Sequence, residues 1–551
     1  MALKRVNAVI VGAGAGGGVV AKELSEAGLS VVLLERGPWP SFEEHDHDEL
    51  ISQRTTVLGN AFGPDDARYR RVIANNDGTW RIVAPSDGGY NNNAACVGSG
   101  TVSYGAMAWR FMEQDFRLRS TYGAMAGSTL DDWPLSYADL EPFYEKAEWE
   151  IGVAGSHEAN PFAAPRRKPY PMPPFPYNRE GTVLEKAARE AGFHPFPVPM
   201  LRNSVPYGGR PACIKCRYCV GFACEVNAKC GTHNTVIPRA MATGLCEVRT
   251  GCVASEVTVD DHGRARGVKY IDAANRRQFQ AADIVIAAAS ATETARLLLN
   301  SKSKLFPQGA GNRQDWVGRN LQGHAYPGVG GLFAEDIYDD VGAGATIAIC
   351  DFNHGNPGFT GGAMLANEFV RLPYLFSNMR PPGAASWGKP HKDYQRQYFK
   401  RCMRVMGPVQ EMPVFDSRVE VDPSVTDFWG IPVARISGRR HPHDVQLSQY
   451  IAGKADQWVK QAGAIETWQT LPGTGVSGGQ HQAGTCRLGN DPKTSVVNKH
   501  GQMHDIDNLF VADGSLMVTN GGFNPVLTIL ALAYWVSDYI KREWRGSRFK
   551  A

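Results

Sequence analysis

"VNAVIVGAGAGGGVVAKELSEAGLSVVLLERG", residues 6–37, decides the fold of this chain. A β-branched apolar run, a glycine-rich turn, a helical segment and a second apolar run follow one another, which predicts strand, turn, helix and strand. We expect the first strand over 7–11, the helix to end near Ala27 with Gly28 as its cap, and the second strand over 30–34. This order is typical of a Rossmann-like unit.

Three glycines in this stretch have the spacing G-x-G-x-x-G. Gly12 permits a tight turn, Gly14 lets the backbone approach a pyrophosphate, and Gly17 lets helix and strand pack closely. Glu35 ends the second strand, where its carboxylate can accept hydrogen bonds from a ribose. The motif predicts a dinucleotide site and does not distinguish FAD from NAD. A glycine-rich turn without a ligand is the alternative.

The composition is that of a large protein with an extensive core. The 551 residues are 43% apolar, which suffices for more than one domain. A net charge of +3 and the lack of a long basic run give no reason to expect a nucleic-acid partner. The N-terminus lacks the pattern of a signal peptide, and the apolar run 526–536 is too short to cross a bilayer. We therefore expect no direct membrane insertion.

Other segments predict further elements around this unit. The stretch 251–272 predicts a hairpin with its turn near His262, and 282–301 predicts a strand that runs into a helix. Irregular alternation over 330–475 suggests a separate mixed sheet. The C-terminal region predicts a strand, a loop and an amphipathic helix, with Pro525 suited to the first helical position. Without a family resemblance, the sequence favours a structural histidine at His481 and a helix cap at Asn524.

Five of the 11 cysteines are clustered in one loop, within residues 210–234. Their spacing is C-x2-C-x2-C-x4-C-x5-C, through Cys213, Cys216, Cys219, Cys224 and Cys230. Thiolates this close call for a soft metal centre or a disulfide partner. Closely spaced runs are typical of iron–sulfur proteins, whereas structural zinc usually uses two separated pairs. We favour an iron–sulfur cluster, and zinc, disulfides or free thiols are the alternatives.

Taken together, the order of these motifs resembles the glucose-methanol-choline (GMC) flavoenzyme family along nearly the whole chain. The resemblance implies FAD bound in an extended form, through the N-terminal fingerprint, a second glycine loop "VGSGT" at 97–101, an adenine contact and the segment "VADGS" at 511–515. The residues that it assigns to FAD are Gly12, Gly14, Gly17, Glu35, Gly98, Gly100, Thr101, Val253 and Asp513. Val102 stands where some members carry a histidine bonded to the flavin, so we expect non-covalent FAD.

The resemblance also implies the catalytic pair. His481 matches the histidine of the family's H-x-x-G-T, and Asn524 matches the second member of its His–His or His–Asn pair. A histidine can take the hydroxyl proton of an alcohol as general base, and an amide can stabilise the developing alkoxide. Sugar-oxidising members place an iron–sulfur cluster near the cysteine loop. Four cysteines, Cys213, Cys216, Cys219 and Cys224, therefore predict a 3Fe-4S or 4Fe-4S cluster.

The sequence thus predicts an α/β fold with a Rossmann-like FAD-binding domain over 1–330, a substrate-binding domain on a mixed or antiparallel sheet over 331–475, and a return to the FAD domain over 476–551. We expect a FAD-dependent dehydrogenase of a sugar, sugar acid, glycoside or polyol, with a small accessory subunit and a cytochrome c acceptor. A cytoplasmic or periplasmic location follows, since relatives without a signal can be exported with a partner. An oxygen-using oxidase and a zinc-stabilised non-redox subunit are the competing hypotheses.

Overall fold

The predicted N-terminal unit is present in the computed structural model of the chain. Strand β1 (Val6–Val11) pairs in parallel with strand β2 (Val31–Leu34), and helix α1 (Ala15–Glu26) connects them. Gly28 follows the helix with φ at +89°, as its predicted capping role requires. All the side chains of β2 are buried, because helices and other segments cover both faces of a parallel sheet. The βαβ prediction is therefore confirmed.

The structure describes residues 4–43, 47–51, 62–75, 77–87, 89–90, 94–342, 344–367, 371–475, 481–546 and 548–549. Within these ranges the chain forms eleven α-helices and seventeen strands. The other helices are α2 (Gly100–Ser103), α3 (Leu118–Tyr122), α4 (Tyr137–Ala147), α5 (Arg179–Glu190), α6 (Val236–Ala242), α7 (Ala291–Asn300), α8 (Pro373–Ser377), α9 (Gly388–Tyr398), α10 (Pro442–Gln461) and α11 (Val526–Arg545).

The remaining strands are short, and most are separated by loops. They are β3 (Arg71–Ala74), β4 (Trp80–Val83), β5 (Phe196–Pro197), β6 (Cys246–Arg249), β7 (Val253–Val259), β8 (Ala265–Ile271), β9 (Arg277–Ala287), β10 (Gly328–Leu332), β11 (Ile347–Ile349), β12 (Leu365–Asn367), β13 (Cys402–Met406), β14 (Arg418–Thr426), β15 (Pro432–Ser437), β16 (Glu466–Thr470) and β17 (Leu509–Val511).

A seven-stranded sheet forms the dinucleotide-binding half of the fold. Its order is β6-β2-β1-β9-β8-β7, and β17 pairs with β9. The pairs β1–β2, β1–β9, β2–β6 and β9–β17 are parallel, whereas β7, β8 and β9 form an antiparallel meander. The predicted hairpin is the β7–β8 pair, and the predicted strand and helix are β9 and α7. Strand β9 belongs to both the antiparallel and the parallel part of the sheet. Its first half pairs with β8, and its second half pairs with β1 and β17.

Two further sheets lie outside this half. A six-stranded sheet has the order β16-β10-β13-β12-β11-β5, and its described pairs are antiparallel. A four-stranded sheet has the order β14-β15-β3-β4, in which β15 and β3 are parallel. The six-stranded sheet includes β5, which comes from the middle of the N-terminal half of the chain. Helix α10 packs on this sheet through the buried side chains of Leu447, Ile451 and Trp458.

The C-terminal segment returns to the first sheet, as the sequence predicts. Strand β17 leads into a loop and then into α11, which begins at Val526, one residue later than expected. Helix α11 packs against α1 and α4, and eleven of its side chains are buried. The first and last segments of the chain therefore share one core.

No helix within the described ranges is long and apolar enough to span a membrane.

Candidate functional site

The main cavity of the structure has a volume of about 310 Å³ and lies at the carboxyl ends of the parallel strands. Val11, Leu34 and Ala288, which end or directly follow β1, β2 and β9, line its wall. Ligands of open parallel sheets bind at this edge, since the loops there connect to helix N-termini. The architecture therefore positions a ligand where the sequence motif predicts one.

The glycines of the first loop allow the close approaches that build the cavity. Gly12 has φ at +102°, and a Cβ atom at this position would lie 2.4 Å from the carbonyl oxygen of Ala288. A Cβ at Gly17 would lie 1.9 Å from the carbonyl oxygen of Gly12. Gly12 and Gly14 line the cavity, whereas Gly17 packs behind it. The loop then leads into α1, whose N-terminal N–H groups suit a phosphate.

The second glycine loop lies beside the first. The backbone N–H of Gly98 donates to the carbonyl oxygen of Ala13 at 2.9 Å, which joins the two loops. Gly100 and Thr101 line the cavity, and Gly98, with φ at +95°, packs behind them. Val102 is fully buried in a small apolar cluster. The two loops together form a backbone cradle along one wall of the cavity.

Two carboxylates border this cradle. Glu35 accepts hydrogen bonds from the backbone N–H groups of Ala13 and Gly37, both at 2.9 Å. Asp513 accepts hydrogen bonds from the N–H of Ser290 and from the hydroxyl of Thr294. Burial raises the pKa of both carboxyl groups. Oε2 of Glu35 retains a second lone pair and can still accept from a ligand hydroxyl, whereas each oxygen of Asp513 already accepts two hydrogen bonds, those of Oδ1 from Ser515.

One end of the cavity contains a charged network that the sequence motifs do not reveal. Val253 lines this end, together with Tyr69 and Arg36. Arg36 lies over the ring of Tyr69, 5.1 Å from its centroid, and 3.8 Å from the carboxylate of Glu293. Burial raises the pKa of Tyr69 to about 12, against the opposing effect of the Arg36 cation. Because its members come from separate segments, this network has no local sequence signal.

His481 and Asn524 lie together at the other end of the main cavity, and both line its wall. They are linked by Tyr326: its hydroxyl is 3.0 Å from Nδ1 of His481 and accepts a hydrogen bond of 3.1 Å from Nδ2 of Asn524. His324 also contacts Nδ1 of His481, at 2.9 Å. The sequence motifs pointed to the first two residues only. His324 ends the stretch "VGRNLQGH", residues 317–324, but the stretch by itself predicts no role for this histidine.

The backbone of His481 adopts a conformation that few non-glycine residues adopt. Its φ is +64°, in the left-handed region. Such a conformation costs about 1–3 kcal/mol and persists where the surrounding structure enforces it, often at functional sites. The strain directs the ring toward His324 and Tyr326. His481 is therefore held in place by its backbone as well as by its ring contacts.

The amide of Asn524 presents its two ends differently. Nδ2 donates to Tyr326, whereas Oδ1 is buried and has no hydrogen-bond partner among the described residues. An amide oxygen cannot stabilise an alkoxide, because both are acceptors. Nδ2 carries two N–H groups, so the one that does not donate to Tyr326 can serve the proposed alkoxide contact.

The cysteine-rich loop forms part of the wall of the main cavity. Val220, which follows Cys219, lines the cavity. The backbone N–H of Gly221 donates to the carbonyl oxygen of Ser103 at 2.7 Å, and the ammonium group of Lys229 contacts the carbonyl oxygen of Tyr104 at 3.3 Å. Ser103 and Tyr104 directly follow the second glycine loop and also line the cavity. The loop therefore lies against the ligand site.

Four of the five thiols interact with one another. Burial raises the pKa of Cys213, and the neighbouring Cys219 and Cys224 raise it further. Burial likewise raises the pKa of Cys216, to which the same neighbours and Cys213 contribute. Backbone N–H groups contact two of the sulfur atoms, from Lys215 to Cys213 at 3.3 Å and from Lys229 to Cys224 at 3.4 Å. Such contacts favour thiolates over thiols.

Cationic side chains surround the same thiols. Arg202, whose side chain is almost fully buried, donates to Sγ of Cys219 at 3.1 Å. Burial lowers the pKa of Lys229, and the thiols of Cys219 and Cys224 oppose this shift. Buried cations next to several thiols match an anionic centre, since unpaired buried charge is unfavourable. Buried cations therefore lie next to this group of thiols.

Cys230 differs from the other four. Its Sγ lies 3.4 Å from Oδ1 of Asn203 and 3.6 Å from the carbonyl oxygen of Ala228, both of which are acceptors, and Nη1 of Arg210 donates to it at 3.3 Å. Burial raises the pKa of Cys230, and Arg210 opposes this shift. All five cysteines are free of disulfides. Within the described ranges, no three histidine, cysteine or acidic side chains are arranged to ligate one metal ion.

Sequence comparisons agree with the geometry. Two family models described as GMC oxidoreductase match residues 130–326 and 413–533, and a model for a NAD(P)-binding Rossmann-like domain matches 10–52. The chain is 30% identical to 2-methyl-1,2-propanediol dehydrogenase from Mycolicibacterium austroafricanum, over 98% of this chain and 96% of that protein. It is 28% identical to the gluconate 2-dehydrogenase flavoprotein from Pantoea cypripedii, over 98% and 94%.

A solved structure shows the same fold. Pyridoxine 4-oxidase from Mesorbium loti aligns with a TM-score of 0.64 at 16% identity, over 97% of this chain and 99% of that one. The predicted α/β class and the resemblance are confirmed by these matches. The chain belongs to the GMC oxidoreductase family and is a FAD-dependent enzyme that acts on CH–OH groups.

Proposed function

We propose that the chain is a dehydrogenase that oxidises a hydroxyl of a sugar, sugar acid, glycoside or polyol to a carbonyl, with an acceptor other than NAD or oxygen. The observation that carries the proposal is the position of the cysteine-rich loop, with Val220 in the cavity wall and Cys219 beside it. An enzyme that transfers hydride to oxygen needs no thiol cluster at this place. The names of two relatives, which act on gluconate and on a diol, support the substrate class.

FAD would be held by the cradle of the two glycine loops, without a covalent bond. Gly12, Gly14, Gly100 and Thr101 line the cavity, and Glu35 lies where the adenosine ribose is expected. Gly17 and Gly98 support the loops from behind, Val253 lines the adenine end, and Asp513 borders the opposite wall. Val102 has no nucleophile. The cavity thus fits FAD through the sequence-derived residues.

The proton and the hydride of the substrate would leave in different directions. His481 accepts the hydroxyl proton as general base. Asn524 donates the second N–H of Nδ2 to the developing alkoxide. FAD, when bound, supplies the group that accepts the hydride from the carbon. His481 and Asn524 line the same end of the cavity, so one substrate carbinol can reach both.

The cysteine loop would hold an iron–sulfur cluster of the 3Fe-4S or 4Fe-4S type. Cys213, Cys216, Cys219 and Cys224 are the proposed ligands, since their thiols interact with one another and lie among buried cations. Cys230 is left out, because its thiol already contacts Asn203, Ala228 and Arg210. Such a cluster supplies one-electron transfer, which suits a cytochrome c or quinone-type acceptor and an accessory subunit. Zinc at the same thiols is the competing hypothesis.

The substrate-binding region is proposed to be residues 331–475, which supply most of the six-stranded sheet and all of α10. Residues 1–330 and 476–551 would bind FAD. The compartment is proposed to be the cytoplasm or, after export with a partner, the periplasm.

A visible spectrum with iron and acid-labile sulfide analysis of the purified enzyme tests the cofactors. A substrate panel of D-gluconate, D-glucose, a methyl glycoside and 2-methyl-1,2-propanediol then tests the reaction, with a one-electron dye or oxygen as acceptor. We expect flavin and cluster absorbance, and turnover with the dye and not with oxygen. Rapid oxygen uptake with the substrate would show an oxidase. Stoichiometric zinc without iron would refute the cluster.

A further inference from the structure

The motif "VGRNLQGH" ends in His324, whose role is not explained by FAD or by the catalytic pair. His324 is 6% exposed and lies at the back of the catalytic end of the cavity. Its ring faces the ring of His481 edge to face, with centroids 5.0 Å apart. The contact joins one nitrogen of each ring, Nδ1 to Nδ1. A buried histidine in this position can control the protonation of its neighbour.

The backbone brings the two histidines together. Gln322 and Ala483 exchange two backbone hydrogen bonds, at 3.0 and 2.9 Å, in an antiparallel bridge. His324 lies two residues after the first partner and His481 two residues before the second. The bridge holds the two segments side by side, so that His324 and His481 each lie two residues from a paired position.

The hydrogen bonds define where the protons lie. Nε2 of His324 is 2.8 Å from the carbonyl oxygen of Gly521, which can only accept, so this nitrogen carries a proton. Burial lowers the pKa of His324, which keeps the ring neutral, and its Nδ1 is then an acceptor. The 2.9 Å contact is a hydrogen bond only if Nδ1 of His481 carries a proton. The lone pair of neutral His481 is then on Nε2.

The Tyr326 hydroxyl favours the opposite tautomer. At 3.0 Å from Nδ1 of His481, its O–H could donate to this nitrogen and leave the proton on Nε2. That tautomer would place two lone pairs 2.9 Å apart, between His324 and His481. His324 therefore decides between the tautomers.

An ion pair lies near His324 among the residues that the structure describes. The carboxylate of Glu411 accepts a hydrogen bond of 3.1 Å from the N–H of Gly323 and pairs with Arg440 at 2.8 Å. Glu411 raises the pKa of His324 by less than burial lowers it. The titratable neighbours are thus His481, Tyr326, Glu411 and Arg440. None of them gives His324 a second proton near neutral pH.

We propose that His324 is a positioning residue that accepts the Nδ1 proton of His481 and so keeps the lone pair of the catalytic base on Nε2. The inference rests on the proposed role of His481. A general base without an available lone pair cannot accept the hydroxyl proton. His324 touches neither substrate nor FAD in this proposal and acts through His481 alone.

The tautomer of His481 in the FAD-loaded enzyme tests the proposal directly. The ¹⁵N shifts of histidine-labelled protein distinguish a protonated Nδ1 from a protonated Nε2, and the signals that disappear in His481→Gln identify the residue. We expect Nδ1–H and an unprotonated Nε2 near pH 8. A protonated Nε2 in the unaltered enzyme would overturn the proposal, whatever its activity.

Two nearly isosteric variants separate the hydrogen bond from packing. His324→Asn retains an acceptor near the position of Nδ1, and His324→Leu does not. We expect the His324→Asn variant to retain the proton on Nδ1 of His481. In the His324→Leu variant, the Tyr326 hydroxyl should donate to Nδ1 of His481, and the proton of His481 should then lie on Nε2. Flavin reduction is measured by anaerobic stopped flow, with the substrate of the panel that reacts fastest. The rate should fall on the order of 10²-fold in His324→Leu, with an unchanged substrate Kd. The rate should fall much less in His324→Asn.

Tyr326→Phe serves as the control for the tautomer only, and it should retain Nδ1–H. A Leu variant that retains Nδ1–H, or that slows no more than the Asn variant, would refute the inference. If the His324→Leu variant does not fold or bind FAD, the ¹⁵N spectrum of the unaltered enzyme still shows which nitrogen of His481 carries the proton. Failure of the base assignment itself would be seen separately, as near-native turnover in a His481 variant.

Discussion

The backbone N–H of Gly221 donates a 2.7 Å hydrogen bond to the carbonyl oxygen of Ser103, which attaches the cysteine-rich loop to the wall of the FAD cavity. The neighbouring Val220 completes that wall. A structural loop could stabilise the fold from any surface. A loop that borders the cofactor site can instead exchange electrons with the cofactor, and mutations distinguish the two roles.

Replacing Cys219 and Cys224 with serine should remove iron and acid-labile sulfide. Substrate should still bleach the flavin, because His481 and Asn524 lie on other segments. Transfer to a cytochrome-type acceptor should collapse, whereas transfer to a small soluble dye should fall much less. Cys230→Ser is the matched control and should retain the cluster, since its thiol contacts Asn203 and Ala228. A parallel loss of both activities together with FAD would show a structural zinc loop.

His481→Ala should abolish turnover and retain FAD. Loss of a positioned general base should slow flavin reduction on the order of 10²–10⁴-fold. The FAD content, measured from flavin absorbance, should be unchanged, because the two glycine loops hold the cofactor. Near-native turnover of the variant at neutral pH would refute the assignment.

FAD should be released intact when the protein is precipitated with acid. Val102 is buried and apolar at the position where a covalent histidine would be expected. The supernatant should contain the flavin, and its mass should equal that of free FAD. A yellow precipitate would reveal a covalent bond.

His443 should make the protein less stable as the pH falls from about 6.5 to about 4. Burial lowers the pKa of His443 from 6.5 to about 4, and the backbone N–H of Thr360 donates to its Nε2. Below pH 6.5 the unfolded chain therefore binds a proton that the folded chain does not, and the stability falls by up to about 1.4 kcal/mol per pH unit. Above pH 6.5 both forms are neutral and the contribution is constant.

Urea unfolding curves of His443→Gln, measured across this range, should show a smaller dependence on pH than those of the unaltered protein. His262→Gln, at an exposed hairpin turn, is the control. An identical pH dependence in all three proteins would contradict the assignment.

Gly16→Ala should destabilise the protein and weaken FAD binding. A Cβ atom there would lie 1.6 Å from the carbonyl oxygen of Ala512, so α1 and the C-terminal segment would have to separate. We expect a loss on the order of 2–3 kcal/mol or more. Gly453→Ala is the control, because its Cβ would meet no atom within 4 Å on an exposed face of α10. It should stabilise the protein by about 1 kcal/mol.

Local patterns in the sequence were sufficient to predict the βαβ unit, the β7–β8 hairpin, the β9–α7 pair and the C-terminal helix. Each is encoded within about 40 residues, where periodicity and glycine placement decide the structure. The four-stranded sheet was not predicted, because β3 pairs with β15 from a distant segment. The sequences of these short strands do not indicate which strand they pair with.

The same division applies to the site. The motifs of single loops predicted the glycines, Glu35, His481 and Asn524, which the structure brings to one cavity or its supporting loops. Side chains that act through a partner were missed. Tyr326 and Glu293 matter through contacts with residues more than a hundred positions away, and these contacts arise only in the folded chain.

The pairing of β17 with β9, and of α11 with α1, has a consequence for biosynthesis. The nascent chain exposes its nucleotide-binding turn about 500 residues before Asp513 and Asn524 are translated. Until this later segment leaves the ribosome, the parallel sheet has an open edge at β9, and α1 has an uncovered apolar face. Cofactor loading must therefore follow synthesis of β17 and α11, and chains that terminate before them would be substrates for chaperones and proteases.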